Sequence, residues 1–164
     1  MENSFALRKV EVSLSPQERF EEYLQSRGKR MTHQRRVILE TVFAQHDHFD
    51  ADGLWEMVQR AGHRVSRPTV YRTLNELEDC GLLRRMQLGN RRVYEHDYGY
   101  PDHDHLYCER CHKLFEFQCE ELQRIREAVA REYQFRPNGH RFIITGVCSQ
   151  CSQGRRRQRR LELV

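Results

Sequence analysis

Two Cys-x-x-Cys pairs, Cys108/Cys111 and Cys148/Cys151, constrain this chain more than any other feature of it. Each has the spacing of a chelating knuckle, and two knuckles supply the four thiolates of a closed tetrahedral zinc site. The segment between them has room for one helix and two strands, longer than in a compact zinc ribbon. The ion would then pin the last strand and tail to the start of a sheet, which is a structural role. A redox Cys-x-x-Cys needs only one pair, usually at a helix start. The remaining thiols, Cys80 and Cys119, are expected to be small buried apolar residues.

That reading requires reduced thiols. The opening stretch MENSFALRKVEVSLSPQERF has no apolar core and no small-residue cleavage site, so a cytoplasmic location is expected, where disulfides are rare. At 164 residues and 38% hydrophobic content the chain suits one ordinary domain or two small ones and offers no membrane span. The formal charge of +4 is modest, but the basic residues are clustered, and clustering is what an anionic partner feels. The run RRRQRR at 155–160 is either a solvated tail or a nonspecific nucleic-acid contact.

Residues 1–14 show no periodicity. Ser15-Pro16 then opens a helical pattern with Phe20, Tyr23 and Leu24 on one face, ended by Gly28. Thr32 can cap a second helix (Val37, Ile38, Thr41, Val42), and Asp50 a third (Leu54, Trp55, Val58), which stops at Gly62. Ser66-Arg67-Pro68 caps a fourth, with Val70, Leu74 and Leu77 inward and Gly81 at its end. Two strand-like runs follow, 82–88 and 91–95, joined by Gly89-Asn90, a dipeptide suited to the positive φ angles of a tight hairpin. Helices followed by one hairpin make a winged helix-turn-helix. After the linker HDYGYP (96–101) the pattern becomes strand (103–107), strand (113–117), helix (120–133) and strand (141–147), a second α+β domain. The expected division is 1–96, a hinge at 97–101, a second domain at 102–154 and a basic tail at 155–164.

In the fourth helix the inward stripe forces Arg67, Thr69, Tyr71, Arg72 and Asn75 outward. Arginine reads guanine through two hydrogen bonds, asparagine pairs with adenine, and threonine or tyrosine can reach phosphate or the thymine methyl. Any amphipathic helix carries polar residues outside. Here the helix also has a short turn before it, an arginine-bearing wing (Arg84, Arg85, Arg91, Arg92) after it and the basic approach Arg27-Gly28-Lys29-Arg30.

The stretch DHDHLYCERC (102–111) concentrates carboxylates, imidazoles and thiols. As a strand it places His103 and His105 on one face and Asp102 and Asp104 on the other, so one stretch serves more than one site. Mixed nitrogen and oxygen donors suit a labile ferrous, manganous or zinc ion, whereas a bare histidine-rich surface needs none. Two readings of other classes remain. A metal-dependent hydrolase built on His103, His105 and a carboxylate would need an open coordination position and a nearby acid or base. A zinc-ribbon interaction module would leave the arginine wing and Tyr71-Arg72 without a purpose.

From Ser15 to Cys151 the chain resembles the ferric uptake regulator family of metal-dependent bacterial repressors, on the motifs RPTVYRTLNELEDCGLL and HDHLYCERCHKLFEF and the second Cys-x-x-Cys. The resemblance implies a winged-helix DNA-binding domain, a dimerisation domain, and a homodimer that binds double-stranded operator DNA when loaded with a regulatory metal. Carried over by position, the regulatory ligands are His48, Glu95, His103, His105 and Glu116. An additional site corresponds to Asp104 and His140, with Asp102 where a histidine is often found and Gln123 where a glutamate ligand is expected, which leaves that site weak or vacant. Tyr71 and Arg72 match reading-helix positions, Arg35 a phosphate contact and Arg30 a minor-groove residue, and Thr69 joins the expected DNA-binding set from its outward position on the fourth helix. Glutamates at 95 and 116 look like the iron-responsive branch, since peroxide sensors of the family carry aspartates there and zinc regulators often use a cysteine. Ferrous-iron control of iron-uptake genes is therefore expected, with zinc, manganese or peroxide sensing as the alternatives.

Overall fold

A computed structural model of the chain describes residues 12–45, 47–96, 98–99 and 101–153. They fall into two compact units, one within Lys9–Tyr100 and one within Pro101–Val164. The basic run at 155–160 lies outside the described residues.

The first unit contains helices α1 (Pro16–Ser26), α2 (His33–Phe43), α3 (Ala51–Arg60) and α4 (Arg67–Asp79), then strands β1 (Leu83–Leu88) and β2 (Arg91–His96). Each helix starts where a side-chain oxygen can accept an otherwise unpaired backbone N–H. Ser15 closes a capping box with Glu18, while Thr32 accepts from Arg35 N–H, Asp50 from Gly53 N–H and Ser66 from Thr69 N–H. Each such cap contributes about 1 kcal/mol. The inward stripes meet in one core in which Phe20, Leu24, Ile38, Val42, Leu54, Val58, Val70, Leu74, Leu77 and Leu82 are fully buried. In α2 the buried fourth residue is Leu39, not the expected Thr41, which is half-buried with its hydroxyl donated back to the Val37 carbonyl at 2.7 Å. Gly81 (φ 73°) turns the chain out of α4. In the hairpin only Gly89 takes a positive φ (58°), so the turn needs one left-handed residue rather than two. The α3–turn–α4 pair with the β1–β2 wing is a winged helix-turn-helix.

The second unit contains β3 (Asp104–Cys108), β4 (Leu114–Phe117), α5 (Glu120–Glu132) and β5 (Ile143–Gly146). Its sheet runs β4-β3-β5, with β3 antiparallel to β4 and parallel to β5. A parallel neighbour requires a crossover, and α5 provides it. β3 begins one residue later than expected, and β5 covers 143–146 rather than 141–147. Cys80 is buried as expected, and burial pushes its thiol up to about 11. Cys119 is not: it is half-buried ahead of α5, its thiol donated to Glu121 Oε2 at 3.3 Å. Among the described residues no helix is long and apolar enough to cross a membrane.

Candidate functional site

The register of the second unit brings the two knuckles together. Cys108 ends β3, Cys111 lies in the following turn, and Cys148 and Cys151 follow β5, which pairs with β3 through Cys108 and Gly146. The four sulfurs lie within 4.8 Å of one another. An ion held tetrahedrally at ~2.3 Å from each would separate them by about 3.8 Å, and Cys111 Sγ and Cys148 Sγ are 3.8 Å apart. The Cys148 N–H points at Cys108 Sγ at 3.4 Å, and the Arg110 guanidinium holds the Cys151 carbonyl at 2.8 Å. Backbone N–H groups of Cys111 and Cys148 hold the Cys108 thiol down to about 6. Sharing a hydrogen bond with Cys148, together with burial, pushes Cys151 up to about 12. One sulfur of the four is thus readied as a thiolate, as a zinc knuckle requires.

In the first unit, Phe49 and Tyr94 form an isolated antiparallel bridge. It sets the preceding residue, His48, against the following one, Glu95: His48 Nε2 lies 3.0 Å from Glu95 Oε2. Glu95 is buried, and its cross-strand partner Arg84 holds a guanidinium nitrogen 4.0 Å from Oε1.

In the second unit, the extended alternation at the start of β3 sets His103 and His105 edge to face, ring centroids 4.8 Å apart. Glu116 of β4 pairs with His105 in register and brings Oε1 within 3.9 Å of His103 Nε2. His103 Nδ1 is 2.8 Å from the Pro101 carbonyl, the contact that fixes a ligating imidazole with its lone pair on Nε2. Both histidines are buried. On the reverse face the expected third site is half assembled. Asp104 and His140 meet at 3.1 Å, but Asp102 turns to the Arg126 guanidinium at 2.9 Å, and Gln123 sits half-buried on α5.

On α4, Tyr71 (46% exposed), Arg72 and Asn75 face outward as expected. Thr69 Oγ1 is 2.9 Å from the cap hydroxyl of Ser66, and Arg67 lies over the Trp55 ring at 4.4 Å instead of projecting freely. The wing is less cationic than its sequence: Arg91 pairs with Asp50 at 2.8 Å and Arg85 with Glu78 at 3.3 Å, while Arg92 is exposed. Arg30 is exposed, but Arg35, expected at a phosphate, turns inward. Its Nε and one terminal nitrogen donate to Glu76 at 2.9 and 2.8 Å, and its other terminal nitrogen donates to the Arg30 carbonyl at 2.9 Å.

Sequence reasoning missed Glu76. It shares the buried face of α4 with Val70, Thr73, Leu74 and Leu77, and a carboxylate on an apolar stripe demands a cation. That was the signal available. Burial is the largest influence on its pKa and acts upward, but hydrogen bonds from Arg35 and Lys29 outweigh it and hold the carboxyl below its ordinary 4.5.

The model of the family described as "Ferric uptake regulator family" matches residues 26–145. The ferric uptake regulation protein of Campylobacter jejuni is 32% identical over 137 residues, covering 82% of this chain and 87% of that protein. The peroxide-responsive repressor PerR of Staphylococcus aureus is 30% identical over 128 residues, covering 78% of this chain and 86% of that one. Among solved structures, the ferric uptake regulator of Pseudomonas aeruginosa with manganese superposes with a TM-score of 0.68 at 26% identity, over 78% of this chain and 96% of that chain.

Proposed function

This chain belongs to the Ferric uptake regulator family, and from that premise we propose that it is a homodimeric cytoplasmic repressor, competent to read operator DNA when His48 and Glu95 share a ferrous ion with His103, His105 and Glu116. Membership makes it a metal-responsive, DNA-binding transcriptional regulator and not an enzyme.

The observation that carries the reading is that each unit holds a partly buried, incomplete ligand set. His48 and Glu95 are preassembled in the winged-helix unit, as are His103, His105 and Glu116 in the sheet unit. Two donors are too few for a divalent ion that prefers four to six, and three leave the shell open. A divalent cation bound there supplies coordination alone, five nitrogen and oxygen donors drawn from both units. Sharing it commits the first unit to one orientation relative to the second. In a two-fold dimer the reading helices must match half-sites about one helical turn apart, and only a fixed orientation serves both.

Imidazole and carboxylate donors without a thiolate favour ferrous or manganous ion over a thiophilic one. The manganese held by the Pseudomonas aeruginosa relative is consistent with such a donor set. Glutamates rather than aspartates at 95 and 116 support iron over peroxide sensing. Cys108, Cys111, Cys148 and Cys151 fit a structural zinc ion. Asp104 and His140 alone, with Asp102 engaged by Arg126 and no carboxylate at 123, leave the third site weak.

The partner copy has a surface to meet. Phe115, Leu106 and Ile144 form a row across the three strands of the second unit, 43, 41 and 46% exposed, and Ile125 and Val129 on α5, with Tyr133 at its C-cap, are exposed as well. So much exposed apolar surface marks an interface. On DNA, Thr69, Tyr71 and Arg72 enter the major groove and Arg30 the minor groove.

Anaerobic gel retardation of an operator duplex, with and without ferrous or manganous ion, tests the proposal. The parent is expected to bind more tightly with metal, and His48→Ala and His103→Ala, one from each unit, are each expected to lose that gain. Variants that respond like the parent would overturn it.

A further inference from the structure

Glu76 is 4% exposed, yet it accepts three hydrogen bonds from two cations. Oε1 accepts from Lys29 Nζ at 2.7 Å and from Arg35 at 2.8 Å, and Oε2 accepts from Arg35 Nε at 2.9 Å. The remaining arm of the same guanidinium donates to the Arg30 carbonyl at 2.9 Å. One carboxylate on α4 therefore ties down both the connection between α1 and α2, through Lys29 and Arg30, and the first turn of α2, through Arg35. Tyr71 and Arg72 lie on the same helix, within about 8 Å of Glu76 along its axis at 1.5 Å per residue. Arg30 and the Tyr71-Arg72 pair are thus joined by a short, rigid chain: Arg30 backbone, Arg35 guanidinium, Glu76 carboxylate, α4 backbone.

We infer that Glu76 is a positioning residue for DNA recognition. Acting through Arg35, it sets the spacing between Arg30 and Tyr71-Arg72, and it never touches the duplex. This rests on the assignment of Arg30, Tyr71 and Arg72 as DNA contacts. Its consequence is a division of labour among the cations. Lys29, although exposed, and Arg35 both direct their charge at Glu76, Arg35 contributes geometry rather than phosphate attraction, and Arg30 is left to reach the groove from a backbone whose carbonyl is held by Arg35. A bidentate pair suits this task because the planar guanidinium locks both distance and angle.

Three accounts of Glu76 differ in sign. If it merely restrained two cations, Glu76→Gln would raise affinity for any duplex and steepen the salt dependence, because released lysine and arginine would find phosphates. If it merely held the fold, melting would drop while the ratio of operator to random affinity stayed put. Positioning predicts that the ratio itself collapses.

The experiment uses the full-length, manganese-loaded protein well below its melting temperature. The probes are a duplex selected from a random pool by the parent and an unselected duplex of equal length. Glu76→Gln is expected to lower affinity for the selected duplex about tenfold and leave the unselected one within about twofold. Arg30→Ala should also weaken selected binding, yet add little in the Glu76→Gln background, since the two act along one path. Arg35→Lys keeps the charge but cannot span Glu76 and the Arg30 carbonyl, so it should reproduce the lost ratio even if Glu76→Gln folds poorly. Unchanged or tighter selected binding by both clamp variants, or fully additive losses with Arg30→Ala, would overturn the inference. If Arg30→Ala and Arg72→Ala leave selected binding untouched, the underlying assignment of DNA contacts has failed instead.

Discussion

Phe49 exchanges both backbone hydrogen bonds with Tyr94, at 3.2 and 2.7 Å, and their rings stack 5.9 Å apart. This bridge places His48 beside Glu95. Two of the five proposed regulatory ligands are therefore brought together by folding of the first unit.

Because Glu95 is buried and already oriented, replacing it with glutamine keeps its shape and removes its charge. Glu95→Gln is expected to weaken manganous-ion binding by at least about tenfold, the scale on which ligand-shell changes act. Competition against a fluorescent chelator measures this. Affinity equal to the parent's would remove Glu95 from the ligand set.

In the proposed zinc site four thiolates would close the second unit on itself, and the energy of metal binding would then be folding energy there. Cys108→Ser is expected to purify without zinc and to lose the dimer, seen by metal analysis and sedimentation. A dimeric, zinc-free variant would refute a structural role.

Leu106 is centred on an exposed apolar row of the sheet, so a charge there costs the isolated unit little and an interface much. Leu106→Asp is expected to sediment as a monomer while retaining its zinc. A dimer of undiminished affinity would place the partner elsewhere.

Glu76 gives a pH signature. Its carboxyl sits below 4.5 in the fold, burial opposing and Arg35 and Lys29 prevailing. A group depressed in this way stabilises fully above its unfolded value and loses that contribution as pH falls through the folded one. The parent should therefore out-melt Glu76→Ala by about 1–3 kcal/mol near neutrality, and the gap should narrow as pH drops below about 4.5. A gap independent of pH would show that the ionised carboxylate is not what stabilises α4.

What the sequence disclosed was whatever is local. Ser15, Thr32, Asp50 and Ser66 cap their helices as read, because a cap involves residues three apart. The faces of His103 and His105 followed from strand period alone. Partnerships across the chain were opaque: nothing near Arg35 announces that its charge is met 41 residues later, or that Arg91 closes on Asp50. Cys119 misled because a small thiol carries no periodic signal, and the pairing of His48 with Glu95, 47 positions apart, came from resemblance.

The central claim is that one exchangeable ion takes ligands from both units. Pulsed electron paramagnetic resonance of the manganese-loaded protein, with ring nitrogens labelled, counts imidazoles on that ion directly. Three coupled imidazoles are expected, falling to two in His48→Ala and to two in His103→Ala. An unchanged count in His48→Ala, with the ion still bound, would mean that the first unit contributes no imidazole, and the proposed clasp would be wrong.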